Sequence, residues 1–207
     1  MPAIDQLVHT VAARRIICRG QDDLTSVPII CSGWALSAVM LPDGSRQILS
    51  FLLPGDLVSP SLLFDSKPDS FVEAITTVTY RAFNRLNLRQ AITTEPAAFS
   101  ALARMWFREK RRTEELVVDL GRRSASERIA RLIIGLVERL QERSMTSGPF
   151  EVDFPLRQHH IADATGLTPV HVNKLLSEFR RKELIRLSDR SLAILDPAAF
   201  RAAANLR

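Results

Sequence analysis

The stretch LRQHHIADATGLTPVHVNKLLSEFRRKELI, residues 156–185, decides the fold of the C-terminal part of the chain. Two short helical patterns are separated by Gly166, a residue that adopts the left-handed conformation of a tight turn at low cost. Thr168 is a good N-cap, and Pro169 suits the first position of the second helix. The buried face of that helix is expected to hold four apolar residues at helical spacing, namely Val172, Leu175, Leu176 and Phe179. This pattern predicts a helix-turn-helix.

The other face of the second helix points to double-stranded DNA as a partner, because a helix of this kind fits the major groove with its first residues nearest the base edges. We assign base reading to Val170, Asn173 and Lys174. Supporting and phosphate contacts are assigned to Arg157, Thr168, Pro169, His171, Ser177, Arg180, Arg181 and Arg186. Arg186 begins a predicted two-stranded wing at 186–188 and 191–195. The alternative, an ordinary two-helix corner, has a similar spacing and stays open.

The distribution of charge agrees with a polyanionic partner for this region. Residues 1–120 hold 13 basic and 13 acidic residues, whereas residues 121–207 hold 15 basic and 10 acidic ones, so the net charge of +5 belongs to the C-terminal part. With 46% hydrophobic and 25% charged residues, the 207-residue chain suits a soluble globular protein. No signal pattern or membrane span is recognisable, and two cysteines fit a reducing compartment, so we expect a cytoplasmic protein.

The N-terminal part reads as short strands separated by turns. Apolar and β-branched runs occupy 28–30, 37–41, 47–53, 71–78 and 79–83, and the turn signal Pro42-Asp43-Gly44-Ser45 separates two of them. A short helix is expected at 88–93. The pattern predicts a β-roll like a jelly roll, that is, a double-stranded β-helix, within an α+β protein. The predicted domains are a β-roll at 1–95, a long helix at 96–121 and a DNA-binding domain at 122–207, with a hinge near 121–124.

The long helix carries a heptad pattern that is typical of chain pairing. Its a and d positions are Phe99, Leu102, Trp106, Glu109, Thr113, Leu116 and Leu120. Such a stripe favours a homodimer, in which the two polar residues at its middle would fix the register. The alternative is that this face packs against the β-roll of its own chain. Ser124-Ala125-Ser126-Glu127 then matches a capping box and begins the next helix.

The order of these elements resembles the Crp/Fnr family of bacterial transcription regulators over almost the whole chain. The resemblance rests on Ser32-Gly33-Trp34-Ala35, on residues 41–47 with Leu53-Pro54-Gly55-Asp56, on residues 120–130 and above all on residues 166–174. It implies a homodimer that binds a near-palindromic promoter site and contacts RNA polymerase. The common family pattern has Glu where this chain has Val170 and Arg where it has Lys174, so we expect a shifted half-site preference.

Departures from the family pattern bear on the effector. Members that bind cyclic AMP carry a Gly-Glu-Leu turn and a later Arg-Ser pair; here the candidate effector pocket is Gly55, Asp56 and Leu57 with Phe71 and Glu73. Residues 69–74 contain no arginine, and Glu73 would repel a phosphate. We therefore expect neither cyclic AMP nor another resident cofactor, and the effector stays unknown. Oxygen sensors of the family hold an iron–sulfur cluster on four cysteines, so Cys18 and Cys31 are too few; a redox pair and buried structural cysteines both remain open.

An enzyme is the competing class, with a metal or hydrolytic site in the β-roll. The sequence lacks G-x-S-x-G, a P-loop and H-E-x-x-H, so we expect no catalysis and no bound metal. His159, His160 and Asp163 resemble a small metal cluster, but they lie on the first helix of the helix-turn-helix and are expected to be solvated.

Overall fold

The computed structural model describes residues 6–19, 25–58, 63–64, 70–142 and 151–206. The connector predicted at 144–149 and Asp69 of the candidate effector segment lie outside these residues. The strands are β1 (Gln6–Val11), β2 (Ile16–Arg19), β3 (Ser26–Ser32), β4 (Ala35–Met40), β5 (Arg46–Leu52), β6 (Phe71–Ala74), β7 (Val78–Asn84), β8 (Glu151–Asp153), β9 (Ile185–Ser188) and β10 (Ser191–Ile194). The helices are α1 (Arg85–Thr94), α2 (Pro96–Arg122), α3 (Ala125–Gln141), α4 (Gln158–Thr165), α5 (Pro169–Arg181) and α6 (Pro197–Ala203).

The chain forms two compact units, Met1–Glu114 and Glu115–Arg207, and the division falls inside α2. The predicted domain limits and the hinge near 121–124 stay predictions. The content is mixed α+β, as predicted, with a sheet-rich N-terminal unit and a helical C-terminal unit that carries a small sheet.

The N-terminal unit is built from two antiparallel sheets, one in the order β1-β7-β3 and one in the order β2-β6-β4-β5. Residues from both sheets meet in one buried cluster: Cys18, Ile30, Ala35, Leu52, Val58, Val72, Ala74 and Val78. The turn predicted at Asp43-Gly44 joins β4 to β5, where the Asp43 carboxylate accepts the backbone N–H of Ser45 at 2.8 Å. The predicted β-roll is confirmed in these residues.

The strands differ from the sequence prediction in two ways. Two strands are present as predicted at 71–83, but the predicted boundary at 78/79 is wrong, because the chain turns at 75–77, where the backbone N–H groups of Ile75 and Thr76 donate to the carbonyl oxygen of Trp34. β1 and β2 were not predicted. In β1 two large apolar residues, Leu7 and Val8, follow each other in the sequence, so the strand lacks the alternation of apolar and polar residues that predicts a strand. Both side chains are exposed.

The two cysteines have different environments. Cys18 is buried in the core cluster, whereas Cys31 is exposed, so the alternative of two buried structural cysteines is wrong for Cys31. Cys31 occupies a β-bulge, since Ile30 pairs with Tyr80 and Ser32 with the neighbouring Thr79. The extra residue of a bulge leaves the alternation of the strand, and this explains its exposure.

The heptad stripe of α2 does not form one uniformly exposed face. In the N-terminal unit, Leu102 packs with Met105 against the buried cluster of Val27, Leu57 and Leu63. Leu116 and Leu120 are half-buried in the C-terminal unit. Glu109 forms an ion pair with Arg112 on its own helix, and its carbonyl oxygen accepts the hydroxyl of Thr113. The exposed large apolar side chains of α2 are Phe99, Trp106, Phe107, Val117 and Val118.

The C-terminal unit holds the helices α3 to α6 and the sheet β8-β10-β9, and α5 packs against β9. Its fully buried side chains come from helices and strands alike, for example Ile133, Phe154, Ile161, Leu192 and Phe200. The rings of Phe179 and Phe200 are nearly perpendicular, with their centroids 5.3 Å apart, and this contact joins α5 to α6. The predicted wing and the terminal helix from Pro197 are present.

Candidate nucleic-acid interface

The helix-turn-helix is formed by α4 and α5, and local sequence signals set each of its boundaries. At the start of α4, the backbone N–H of Arg157 donates to Nδ1 of His160 at 3.1 Å. Gly166 ends α4 in the left-handed region with a φ of +64°. The Thr168 hydroxyl then accepts the backbone N–H of His171 at 3.3 Å, and Pro169 is the first residue of α5. The predicted turn, cap and helix start are confirmed.

One face of α5 is buried and the other is exposed, as the apolar pattern predicts. Val172, Leu175, Leu176 and Phe179 are buried. The residues assigned to base reading and support all lie on the surface of this segment: Thr168, Pro169, Val170, His171, Asn173, Lys174, Ser177, Arg180 and Arg181. Val170 is 81% exposed although it is apolar. Its role in base reading stays a prediction.

Gln158 is a polar residue of this surface that sequence reasoning did not single out. It is the first residue of α4, and its Nε2 donates to Oδ1 of Asn173 at 3.0 Å. The two residues are 15 positions apart, so the contact depends on how α4 crosses α5 and has no local signature in the sequence.

The basic residues around α5 are partly engaged with other side chains. Nη2 of Arg180 donates to the Ser177 hydroxyl at 2.9 Å. On the wing, Arg186 lies 3.6 Å from a carboxylate oxygen of Glu151. These contacts hold two of the assigned cations on the surface of the unit, while Arg157 and Arg181 are also exposed there.

The tip of the wing carries a second ion pair. Arg190 donates to both carboxylate oxygens of Asp153, at 3.4 Å and 3.2 Å. β8 therefore supplies an acidic partner to each of the two wing arginines. The sequence indicated Arg186 as a phosphate ligand, but it did not indicate that Glu151 competes for this arginine.

The candidate effector residues occupy two different places in the N-terminal unit. The turn Gly55-Asp56-Leu57 closes on β3, where Gly55 donates to the carbonyl oxygen of Ile30 at 2.7 Å. The Asp56 carboxylate accepts the backbone N–H of Leu53 at 2.8 Å, which is a structural role within the turn.

Phe71 and Glu73 belong to β6, in the sheet β2-β6-β4-β5. Glu73 forms an ion pair with Arg46 at 3.3 Å, and both side chains are more than four-fifths buried. This pair places an arginine near Glu73 that the sequence pattern did not suggest, since Arg46 comes from β5.

The alternative metal cluster receives no support from the geometry of α4. His160 is buried, so the expectation that it is solvated is wrong; its Nδ1 accepts the N–H of Arg157 and caps the helix. Within the described ranges, no group of three or more His, Cys, Asp or Glu side chains is arranged to hold a metal ion. None of the helices described is long and apolar enough to cross a lipid bilayer.

Two family models match the chain, one in each part. The cyclic nucleotide-binding domain matches residues 8–95, and the Crp-like helix-turn-helix domain matches residues 127–203. The first match covers the β-roll, and the second contains the complete helix-turn-helix with its wing.

Characterised relatives align with most of the chain. The nitrogen fixation regulation protein FixK of Bradyrhizobium diazoefficiens is 30% identical over 184 residues, which cover 89% of this chain and 76% of that protein. A CRP-like cAMP-activated global transcriptional regulator of Mycobacterium tuberculosis is 31% identical over 169 residues, with coverage of 81% and 75%. The structure of FixK2 from Bradyrhizobium japonicum has the same fold, with a TM-score of 0.83 over 96% of this chain and 97% of that one, at 23% identity.

Proposed function

This chain belongs to the Crp/Fnr family of transcription regulators, and we propose that it acts as a homodimer that places two copies of α5 in the major groove of a near-palindromic promoter site. It is a sequence-specific DNA-binding regulator by family, and the relatives named above are regulators rather than enzymes. We propose no catalytic activity for it. The observation that carries the binding mode is the exposed face of α5 behind the Thr168 cap, with Val170, Asn173 and Lys174 on the surface.

The three base-reading residues offer different chemistry. Val170 can contact a thymine methyl, Lys174 can donate to O6 and N7 of guanine, and Asn173 carries both a donor and an acceptor. Phosphate contacts from exposed arginines such as Arg157 and Arg181 would supply most of the affinity without selecting a sequence. We therefore expect a half-site that is read over a few consecutive base pairs.

Recovery of bound duplexes from a pool of randomised DNA tests this function directly. The full chain should select two related half-sites whose centres lie about 34 Å apart, one turn of DNA. On the selected site, Lys174→Ala should cost about 1–3 kcal/mol and relax one base position. Lys182→Ala, at the exposed end of α5, is the matched control and should leave the preference unchanged. If no sequence is enriched, the proposed binding mode is wrong.

The homodimer is proposed from the apolar side chains that α2 leaves exposed. Phe99 and Phe107 in the N-terminal unit are 59% and 72% exposed, and Val117 in the C-terminal unit is 67% exposed. Large apolar side chains at this density on one helix are typical of a surface that pairs with a second copy. Leu102 packs against its own core and is less suited to this role than the heptad pattern suggested.

Sedimentation of a charged variant tests the dimer. Phe107→Glu combined with Val117→Glu should yield monomers, since neither side chain is buried within its own unit. Leu86→Glu, at an exposed apolar position of α1, is the matched control and should leave the dimer intact. A dimer that survives the double substitution would place the contact elsewhere on the chain.

We also propose that cyclic AMP does not control this protein, although one relative is named as cAMP-activated. The support comes from two carboxylates of the β-roll. The Asp56 carboxylate accepts a backbone hydrogen bond within its own turn. Glu73 forms an ion pair with Arg46, so the positive charge of this arginine is already neutralised. Titration with cyclic AMP should give no heat of binding and no change in DNA affinity; a saturable signal would overturn this part of the proposal.

Contact with RNA polymerase is proposed from family membership alone. Transcription in vitro from a promoter that carries the selected site should change when the full chain is added. The direction of the change would separate an activator from a repressor, and no change on a promoter that the protein occupies would contradict a direct role.

A further inference from the structure

We propose that Gln158 is a positioning residue for Asn173 and decides which base edge Asn173 reads. The inference rests on the proposed function, since it concerns the specificity of the same helix. It starts from the 3.0 Å hydrogen bond in which Nε2 of Gln158 donates to Oδ1 of Asn173. Both side chains are exposed on the surface that α5 would present to DNA.

The bond fixes the orientation of the Asn173 amide. In a planar carboxamide the oxygen and the nitrogen point in opposite directions from the same carbon, and the nitrogen carries two donors. When the oxygen of Asn173 faces Gln158, its nitrogen is turned away from Gln158. Asn173 then approaches a base chiefly as a donor, and guanine, with two acceptors at N7 and O6, is favoured over adenine, whose only major-groove acceptor is N7.

Without Gln158 the same amide would be free to rotate. An unrestrained asparagine pairs best with adenine, because it accepts from N6 and donates to N7 at the same time. Gln158 occupies one of the two lone pairs of Oδ1 and holds this oxygen toward α4, away from the orientation that the bidentate contact needs. The chemistry of the Gln158–Asn173 pair therefore differs from that of an isolated asparagine.

Gln158 itself is held in place by the structure around it. It begins α4, directly after the cap in which the N–H of Arg157 donates to the buried His160. α4 packs against α5, and Ile161 and Ala162 of α4 are both 1% exposed. A donor at the first residue of a packed helix can orient the Asn173 side chain in the protein without DNA, so less side-chain entropy is lost when DNA binds.

Selection from randomised duplexes with the full chain tests the role of Gln158. In Gln158→Ala, discrimination at the position read by Asn173 should fall about tenfold, with adenine gaining at that position, while other positions keep their preferences. Arg157→Ala removes the neighbouring cation and is the matched control; it should weaken binding to all sequences without changing the preference. Thermal melts of both variants report whether the fold is retained.

Gln158→Glu gives a sharper result because it reverses the hydrogen bond. A carboxylate accepts and cannot donate, so it should bind the nitrogen of Asn173 and turn the oxygen outward. The preferred base should then change to one that donates in the major groove, adenine or cytosine. A general loss of affinity from the added negative charge is expected, but that loss does not depend on sequence.

The outcomes separate this inference from the proposed function. If the wild-type chain enriches no sequence, both fail. If it enriches a site and neither Gln158 variant changes the preference at any position, the positioning role is wrong while the proposed function stands. A double-mutant cycle adds a further criterion: Gln158→Ala should have no effect on specificity once Asn173→Ala is present, and additive effects would show that the two residues act separately.

Discussion

Arg128 on α3 donates through Nη1 to the backbone carbonyl oxygen of Thr165, the last residue of α4, at 3.0 Å. Its Nε donates at the same distance to the carbonyl oxygen of Arg123, directly after the end of α2. Carbonyl groups at helix ends lack partners within the helix and carry partial negative charge, so a cation there is favourable. One side chain therefore connects the ends of α2 and α4 beside the turn of the helix-turn-helix.

Removal of this connection should destabilise the C-terminal unit. Arg128→Met keeps most of the volume but leaves both carbonyl groups without their charged donor, and Thr165 is buried. We expect the free energy of unfolding to fall by about 2–3 kcal/mol, as is typical of lost hydrogen bonds to charged groups. Denaturant titration measures the change.

Arg122→Met is the matched control for Arg128, because it removes an exposed arginine at the end of α2. Its effect should stay within about 0.5 kcal/mol. Equal losses in the two variants would mean that the bonds of Arg128 to the helix ends do not contribute to stability.

Two glycines of the C-terminal unit should respond to alanine in opposite directions. Gly166 has a φ of +64°, where an alanine is strained, while its added Cβ would lie at an acceptable 3.4 Å from Leu120. Gly166→Ala should therefore destabilise by about 1 kcal/mol through its backbone conformation. Gly135, within α3, has open space around its Cβ position, and Gly135→Ala should stabilise by about 0.5–1 kcal/mol.

Thermal unfolding of the two variants checks this pair, with Gly166→Asn as a third sample. Asparagine tolerates the left-handed region better than alanine, so its loss should be smaller. Stabilisation by Gly166→Ala would be inconsistent with the observed turn.

The sequence predicted best the features that depend on neighbouring residues. The Ser124–Glu127 capping box, the left-handed Gly166 and the Thr168 cap each involve residues within four positions, and each is confirmed. The buried stripe of α5 followed from helical periodicity in the same way. Such signals are local, so tertiary packing does not need to be known in advance.

The sequence predicted less well the features that depend on contacts between residues far apart in the sequence. A heptad pattern gives an apolar face, but it does not tell whether a second chain or the same chain covers it; Leu102 packs on its own unit. The Gln158–Asn173 and Arg46–Glu73 contacts join residues 15 and 27 positions apart, from different elements. β2 has only four residues, too few for a clear period.

The capping box of α3 should make stability depend on pH. The backbone N–H of Ser124 donates to the Glu127 carboxylate at 2.7 Å, and this bond, with one from the Ser124 side chain, lowers the pKa of Glu127 below its usual 4.5. A lowered pKa in the folded state means that the carboxylate stabilises the fold fully above about pH 4.5. That contribution is lost as the pH falls through the lowered value.

Glu127→Gln isolates this contribution, because glutamine still accepts the bond but carries no charge. The variant should be less stable than the wild type at pH 7, and the difference should shrink at pH 3. Glu142→Gln, with the same change of charge at the other end of α3, is the control and should not lower stability at pH 7, because a negative charge is unfavourable at a helix C-terminus. A difference for Glu127→Gln that is constant from pH 7 to pH 3 would contradict the assignment.

The wing ion pair should reduce the attraction of the protein for DNA. Asp153 accepts both bonds of Arg190, and the two side chains are 58% and 62% exposed. Exposed pairs of this kind stabilise the fold by less than about 1 kcal/mol, so their loss is tolerated. Asp153→Asn removes the negative charge and makes Arg190 available to a phosphate, so binding should tighten severalfold on any duplex, with a steeper dependence on salt.

Fluorescence anisotropy with an unrelated duplex at several salt concentrations measures this effect. Arg190→Ala should weaken binding, and Asp153→Asn should bring no gain when it is combined with Arg190→Ala, because the released cation is then absent. A gain that persists in the double variant would instead reflect net charge alone. Glu142→Gln, which has the same change in net charge away from the wing, gives the size of that general effect.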